Sequence, residues 1–374
     1  MRDLSRMYLE HFGLKERPFT LVPDPEFLFW ARPHSKAYTM LEYGIASHAP
    51  ITVITGEVGA GKTTLLRRLL SEIPDEYSIG LISNATGGRG ELLHWVMMSL
   101  GQDVPQGATY VQAFRQFQDF LVDEYRQGRR TALIFDEAQN LQEETLEELR
   151  MFSNINADKD ELLQLILVGQ PELRELVHRP HLSQFAQRIA SEFHLRALNE
   201  GETKGYIDHR LTVAGAERQV FDEDACILVH AACRGVPRLI NQLCDYALVY
   251  AFAEELDMVD AGVVREVLED RREFGVFSDP DVVLGPNAPQ ARPRAPKPAP
   301  GEAAAHQAAP DQAALDQAGQ PPAPDAPAAP QAQPGGAPAA DGAPPQDGTA
   351  PGGPGPDGTV DENVFYGIWG ERKV

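Results

Sequence analysis

The chain has 374 residues, with 55 acidic side chains against 33 Lys and Arg, giving a formal net charge of −22. That balance argues against a surface that coats nucleic acid, while leaving room for a local basic groove. The length suits about two domains with extra segments. No apolar run reaches the roughly 18–20 residues that span a bilayer, so the expected location is the cytosol.

Residues 1–33 show little regular pattern but are rich in rings and prolines, including Tyr8, Phe12, Phe19, Phe27, Phe29 and Trp30. Such a segment cannot shield its rings alone. It is expected to pack on the domain that follows, either as plain core or as an apolar clamp beside whatever the glycine-rich loop at 56–63 binds. Residues 34–48 read as a helix with Ala37, Met40, Leu41, Gly44 and Ile45 on one face.

Residues 51–66, ITVITGEVGAGKTTLL, join a β-prone apolar run to an amphipathic helix through a glycine-rich loop. Gly56, Glu57, Val58, Gly59, Ala60, Gly61, Lys62 and Thr63 follow the G-x-x-x-x-G-K-[ST] phosphate-binding pattern, and Thr64 continues it into the helix. Glycines let the backbone curl so that successive N–H groups face an anion, and the helix N-terminus adds partial positive charge. Lys62 is expected to reach the β- and γ-phosphates of ATP, and Thr63 to offer its hydroxyl to Mg2+.

Further along, 77–82 reads as a strand, 90–100 as a helix, and 110–127 as a helix with Val111, Phe114, Phe117, Leu121 and Tyr125 at helical spacing. An apolar strand, 131–135, then delivers Asp136 and Glu137. At the end of a buried strand Asp136 would stand near Mg2+, and Glu137 would polarise the water that attacks the γ-phosphate. Residues 141–155 read as a helix, acidic on one side, and 162–169 as another buried strand closing on Gln170. Gln170 either orients the attacking water or caps the helix opened by Pro171.

A short strand at 191–195 precedes a change of texture near Asn199. From there the pattern is helical only: 200–214, 222–232, 237–253 and 261–270. Strands alternating with helices, then helices alone, predict a parallel α/β domain over 34–198 and a small helical lid over 199–274. Arg188, just before the last strand, is placed to project onto the γ-phosphate held by a neighbouring subunit. Arg238, opening a helix of the small domain, is placed to reach the phosphates of its own subunit. For each, a surface or salt-bridging arginine is the alternative. Cys226, Cys233 and Cys244 lack metal-ligand spacing and read as buried thiols.

From 275 to 363 Ala, Pro, Gly, Gln and Asp dominate, a composition that cannot offset the entropy of ordering and predicts a disordered tail. Residues 364–374 break that texture with Val364, Phe365, Tyr366, Ile368 and Trp369, read as a docking peptide or else as an incidental apolar end.

Together these residues resemble the AAA+ ATPases of the general secretion pathway protein A (ExeA) type. The stretches that carry the resemblance are Phe12-Gly13-Leu14, Arg17-Pro18-Phe19, Pro23-Asp24-Pro25, 55–64, 135–141 (FDEAQNL), 146–154 (LEELRMFSN), 167–173 (LVGQPEL), Gln187-Arg188-Ile189 and 235–241 (GVPRLIN). The resemblance implies Walker A at 56–63 and Walker B at 135–137. It further implies a sensor-one role for Gln170, an arginine finger at Arg188, a sensor-two role for Arg238, and ring or filament assembly with nucleotide held between subunits. Secretion-type members continue into a transmembrane helix and a peptidoglycan-binding module, where this chain carries the tail and aromatic tip.

The expectation is a Mg2+-dependent ATPase whose oligomerisation and lid movement act on a protein partner in secretion, envelope assembly or polysaccharide export, a partner that would also recruit it to the inner membrane. A DNA-associated ATPase of the transposition type is the first alternative, disfavoured by the acidic balance. An ATP-controlled switch is the second.

Overall fold

The computed structural model describes residues 4–83, 91–157, 160–285 and 288–290. The expected docking peptide, and the tail beyond 290, lie outside the described residues. By its contacts the chain divides at Lys297, and everything described belongs to the first unit, Met1–Lys297.

The centre of that unit is a sheet of five strands, β1 (Ile51–Gly56), β2 (Tyr77–Ser83), β3 (Arg130–Asp136), β6 (Leu163–Gly169) and β7 (Ile189–Leu195), all parallel in the order β2-β3-β6-β1-β7. Strands β1 and β6 are buried along their whole length, which is why they read as unbroken apolar runs. Alternate residues serve opposite faces. Val53, Leu133, Phe135, Leu165 and Leu167 face one core, while Ile54, Ile134, Ile166 and Val168 face the other. Helices α4 (Glu91–Ser99), α5 (Tyr110–Arg126), α6 (Glu143–Phe152), α7 (Pro171–Val177) and the short α8 (Ser183–Ala186) contribute to the first face; α2 (Arg32–Ala46) and α3 (Lys62–Glu72) cover the second.

Strand β6 is inserted between β1 and β3, with Thr55 opposite Gly169 and Phe135 opposite Leu167. The ends of three central strands therefore meet on one edge, bringing the loop after β1, the carboxylates after β3 and Gln170 after β6 together. The helix expected over 141–155 is shorter and gives way to a small antiparallel hairpin, β4 (Asn156–Ala157) with β5 (Asp160–Glu161). Two-residue strands are too short to show alternation in a sequence.

Four longer helices follow: α9 (Glu200–Val213), α10 (Glu223–Cys233), α11 (Pro237–Ala253) and α12 (Ala261–Asp270). Their starts are chemically marked. Asn199 and Glu202 form a capping box, and the Asp222 and Asp260 side chains accept from the N–H groups of Ala225 and Val263. Cys226, Cys233 and Cys244 are free and buried in this bundle, and burial pushes their thiols up, Cys226 to about 12.

The beginning of the chain departs from the sequence reading in two ways. It opens with a helix, α1 (Leu4–Phe12), and its rings go mainly to the helical bundle rather than to the α/β layers. Tyr8, Phe12, Phe19 and Phe27 share one core with α9–α12, Phe19 meeting Phe221 edge-on, whereas Leu28 joins the core over α2 and α3. Polar groups fix the same path: Lys15 N–H donates to Ala214 O (2.8 Å), Arg17 pairs with Asp245 (2.8 Å), and Asn241 Nδ2 donates to Thr20 O (2.9 Å). The segment crosses the bundle as a strap before it enters the α/β layers.

At the other end the chain stays packed past the expected boundary at Gly275. Ser278 N–H donates to Ala232 O (2.8 Å), Pro280 and Ala288 are buried, and Arg265 pairs with Asp281 (2.8 Å) beside α13 (Pro280–Leu284). Phe277 and Leu284, packed against the bundle core, and the capping Asp279 supply what the composition of the wider tail obscures.

Phe19 is buried wholly within the bundle core, so Phe19→Ala is expected to destabilise the protein by about 3–5 kcal/mol. Urea unfolding followed by circular dichroism checks this; an unshifted midpoint would mean that the strap adds nothing to the bundle.

Candidate functional site

The loop after β1 is shaped by two left-handed glycines, Gly59 (φ +79°) and Gly61 (φ +98°). A Cβ on Gly59 would also stand 2.5 Å from the Cβ of Arg238. Gly61 is the cap residue of α3 and offers no side-chain hydrogen bond, so the helix leaves first-turn N–H groups available for an anion.

Lys62 and Asp136 are both more than nine-tenths buried. Lys62 Nζ donates to the Gly56 and Glu57 carbonyls, at 2.7 and 3.0 Å. Burial pushes its pKa down, against the pull of Glu137 and Asp136. Thr63 Oγ1 donates to Asp136 Oδ2 at 3.1 Å, joining the first turn of α3 to the end of β3. Burial raises the Asp136 pKa, although the Glu137 N–H (3.0 Å to Oδ1) and Thr63 work the other way.

Glu137 sits at φ +55°, an uncommon conformation for a residue with a side chain. Its Oε2 accepts from Gln139 Nε2 (2.7 Å) and Gln170 Nε2 (3.1 Å), and Gln139 Oε1 accepts in turn from the Gln170 N–H (3.0 Å). Burial disfavours its charged form, but the two amides and Lys62 outweigh that and the net shift is downward. The result is an ionised, oriented carboxylate.

A cavity opens over this group, lined by Val58, Gly59, Gly61, Lys62, Thr63, Thr64 and Glu137 from the α/β layers, by Arg238 and Asn241 from α11, by Tyr206 and Arg210 from α9, and by the strap from Thr20 to Phe29. The structure thus brings together Lys62, Thr63, Asp136, Glu137, Gln170 and Arg238. Arg188 stands apart: it does not line the cavity, and its guanidinium donates to Ser153 O (2.9 Å) and Oγ (3.3 Å) beyond the end of α6. Arg238 adds a contact that no side-chain argument foresaw, its main-chain N–H donating to Gly59 O at 3.2 Å.

Further residues escaped the sequence reading. Gln139 lies inside the quoted FDEAQNL stretch, so its position was legible though its role was not. Arg210 is buried, donates to Pro18 O and to Tyr206 Oη (3.1 Å), and lies over the Phe27 ring at 4.6 Å. Tyr206 donates to Asn241 Oδ1 at 2.8 Å, completing a polar group at the cavity wall. An arginine in a helical pattern carries no mark that it will be buried against a distant strap.

A parallel sheet, a glycine loop running into a helix, and an acidic pair one strand removed from that loop define a P-loop protein of the AAA+ class. Residues 45–177 match the family described as AAA domain. The chain is a homologue of General secretion pathway protein A of Aeromonas hydrophila, 38% identical over 247 residues, which is 66% of this chain and 45% of that protein. It therefore spans less than half of the relative's length. Among solved structures it is similar to Cdc6p of Pyrobaculum aerophilum (16% identity, 67% of this chain and 71% of that one, TM-score 0.53). It is also similar to the ADPNP–ADP complexes of the ORC2 protein of Aeropyrum pernix (18% identity, 67% and 72%, TM-score 0.50). At those identities the likeness is one of fold. Among the described residues no helix is long and apolar enough to cross a membrane.

Because folding raises the Asp136 pKa from its ordinary 3.8, ionising this carboxyl lowers stability as pH rises through and just above that value. Asp136→Asn is therefore expected to melt like the natural protein at low pH without nucleotide, and at a higher temperature near neutrality. Thermal melts across that range check this; a variant less stable at neutral pH would show that Thr63 and the Glu137 N–H outweigh burial.

Proposed function

We propose that this chain is a Mg2+-dependent ATPase of the general secretion pathway protein A type, acting through an oligomer on a protein of a bacterial envelope or export system. The observation that carries the enzymatic part is the convergence of a hydroxyl–carboxylate pair, Thr63 and Asp136, with an amide-held carboxylate, Glu137, around Lys62.

The donor set fits the metal. Thr63 Oγ1 and Asp136 offer hard oxygen ligands side by side, and Mg2+ is commonly held by one or two protein groups together with water and phosphate oxygens. Bound there, it would neutralise charge on the β- and γ-phosphates. Loop N–H groups would receive the phosphates, and Lys62 would exchange two carbonyl partners for anionic oxygens. Glu137 would polarise the attacking water and take its proton as the water oxygen bonds to the γ-phosphorus and the bond to the ADP oxygen breaks. Gln170 and Gln139 keep that carboxylate aimed.

In this reading the domains divide at about residue 198, and 199–274 acts as a lid. Arg238 acts on nucleotide within its own subunit, and Arg188, which has no part in its own cavity, acts on that of a neighbour. Transfer of a secretion or export role rests on the relative's name and the shared region alone. The DNA-associated reading draws no support from a net charge of −22.

Lys62→Ala is expected to abolish ATP binding, and Glu137→Gln to keep binding while slowing hydrolysis by about 100-fold or more. Arg188→Ala should also be slow, yet regain turnover when mixed with Glu137→Gln, because each supplies what the other lacks. Steady-state phosphate release from single and mixed variants checks all three; additive rates in the mixture would rule out action between subunits.

A further inference from the structure

His34, in the first turn of α2, lies 26 residues before the loop carbonyl it touches. Its side chain is buried, and its Nε2 is 3.0 Å from Ala60 O, so Nε2 carries the proton and donates. Nδ1 is then a bare acceptor, buried and without a hydrogen-bond partner among the described residues. A buried polar atom left unsatisfied lowers stability, so what the imidazole gives the fold in return is its one bond, to Ala60 O.

The carbonyl of Ala60 and the N–H of Gly61 belong to one planar trans peptide and point in opposite directions. Holding Ala60 O toward His34 therefore turns the Gly61 N–H away from it. Gly61 lines the cavity, and a Cβ there would come within 3.1 Å of His34 Nε2, so the imidazole fits closely against a bare glycine. We propose that His34 is a positioning residue of the phosphate loop, holding the Ala60–Gly61 peptide in the orientation that presents an N–H to the nucleotide.

Protonation is not what the role requires. Burial pulls the imidazole pKa down, partly opposed by the bond to Ala60 O, and the facing charges, Glu202 and Arg196, act in opposite senses. Those two are themselves paired at 2.9 Å, and a neutral imidazole with its proton on Nε2 is the working form.

The inference rests on ATP binding by this loop. Its test measures the affinity of the full chain for a fluorescent ATP analogue alongside thermal melting without nucleotide. His34→Leu should weaken binding about fivefold or more, the scale of one lost hydrogen bond. Its melting temperature should change little, because the orphaned Nδ1 is gone but Ala60 O loses its donor. His34→Gln, whose amide N–H can reach the same carbonyl, should stay within about twofold of the natural protein. Natural-like binding by His34→Leu, or equal losses in both variants, would overturn the proposal. Nitrogen-15 NMR of the unsubstituted protein gives a second reading that no folding defect can cloud: a proton on Nε2 is expected, and one on Nδ1 would overturn it. If the natural protein itself fails to bind the analogue, the ATPase reading falls too. If binding is present and lost in Lys62→Ala but unchanged in His34→Leu, only the positioning role falls.

Discussion

Everything near the cavity depends on keeping a cation and a carboxylate charged in a place where burial opposes both. Lys62 and Asp136 are each pushed toward neutrality by desolvation, and each is held by groups the fold delivers: two loop carbonyls for one, a hydroxyl and a main-chain N–H for the other. Such an arrangement contributes little to stability on its own, since buried charges recover their desolvation only when geometry is good. A site of this kind is pre-organised for a ligand that brings its own charge, and the sheet bears the energetic burden through β1, β3 and β6, buried along nearly their whole length.

The inserted strand is what makes the geometry possible. With β6 between β1 and β3, the loop and the acidic pair are separated by one strand rather than adjacent, which leaves Gln170 at the strand end between them. From there its amide reaches Glu137 while its N–H is taken by Gln139. A one-strand change in order would leave Glu137 in its left-handed conformation with the Gln139 amide alone to aim it.

Much of this was legible in the chain because the signals were local. The glycine spacing, the apolar run ending in Asp136-Glu137, and the helical runs after Asn199 each announce themselves locally. What stayed hidden depends on contacts across long separations. His34 touches Ala60 across 26 residues, Arg210 reaches Pro18 across 192, and the rings of the opening strap could not reveal which of two cores they would enter. Alternation and helical period say which face of an element is apolar; they do not say which neighbour that face will meet.

The strap and α11 also place the helical bundle in direct touch with the loop. Arg238 joins it twice, through its N–H to Gly59 O and through its side-chain stem, which occupies the space a Cβ on Gly59 would need. The first-turn N–H groups of a helix have no partner within the helix, so this bond costs α11 nothing to offer. Its consequence is mechanical. A bundle that shifts away from the sheet cannot do so without releasing Gly59, while the Ala60 peptide stays anchored to α2 through His34. The two neighbouring peptides of the loop thus answer to different parts of the fold, one to the bundle and one to the α/β layers. Any ligand that straightens or tightens the loop must be felt by both.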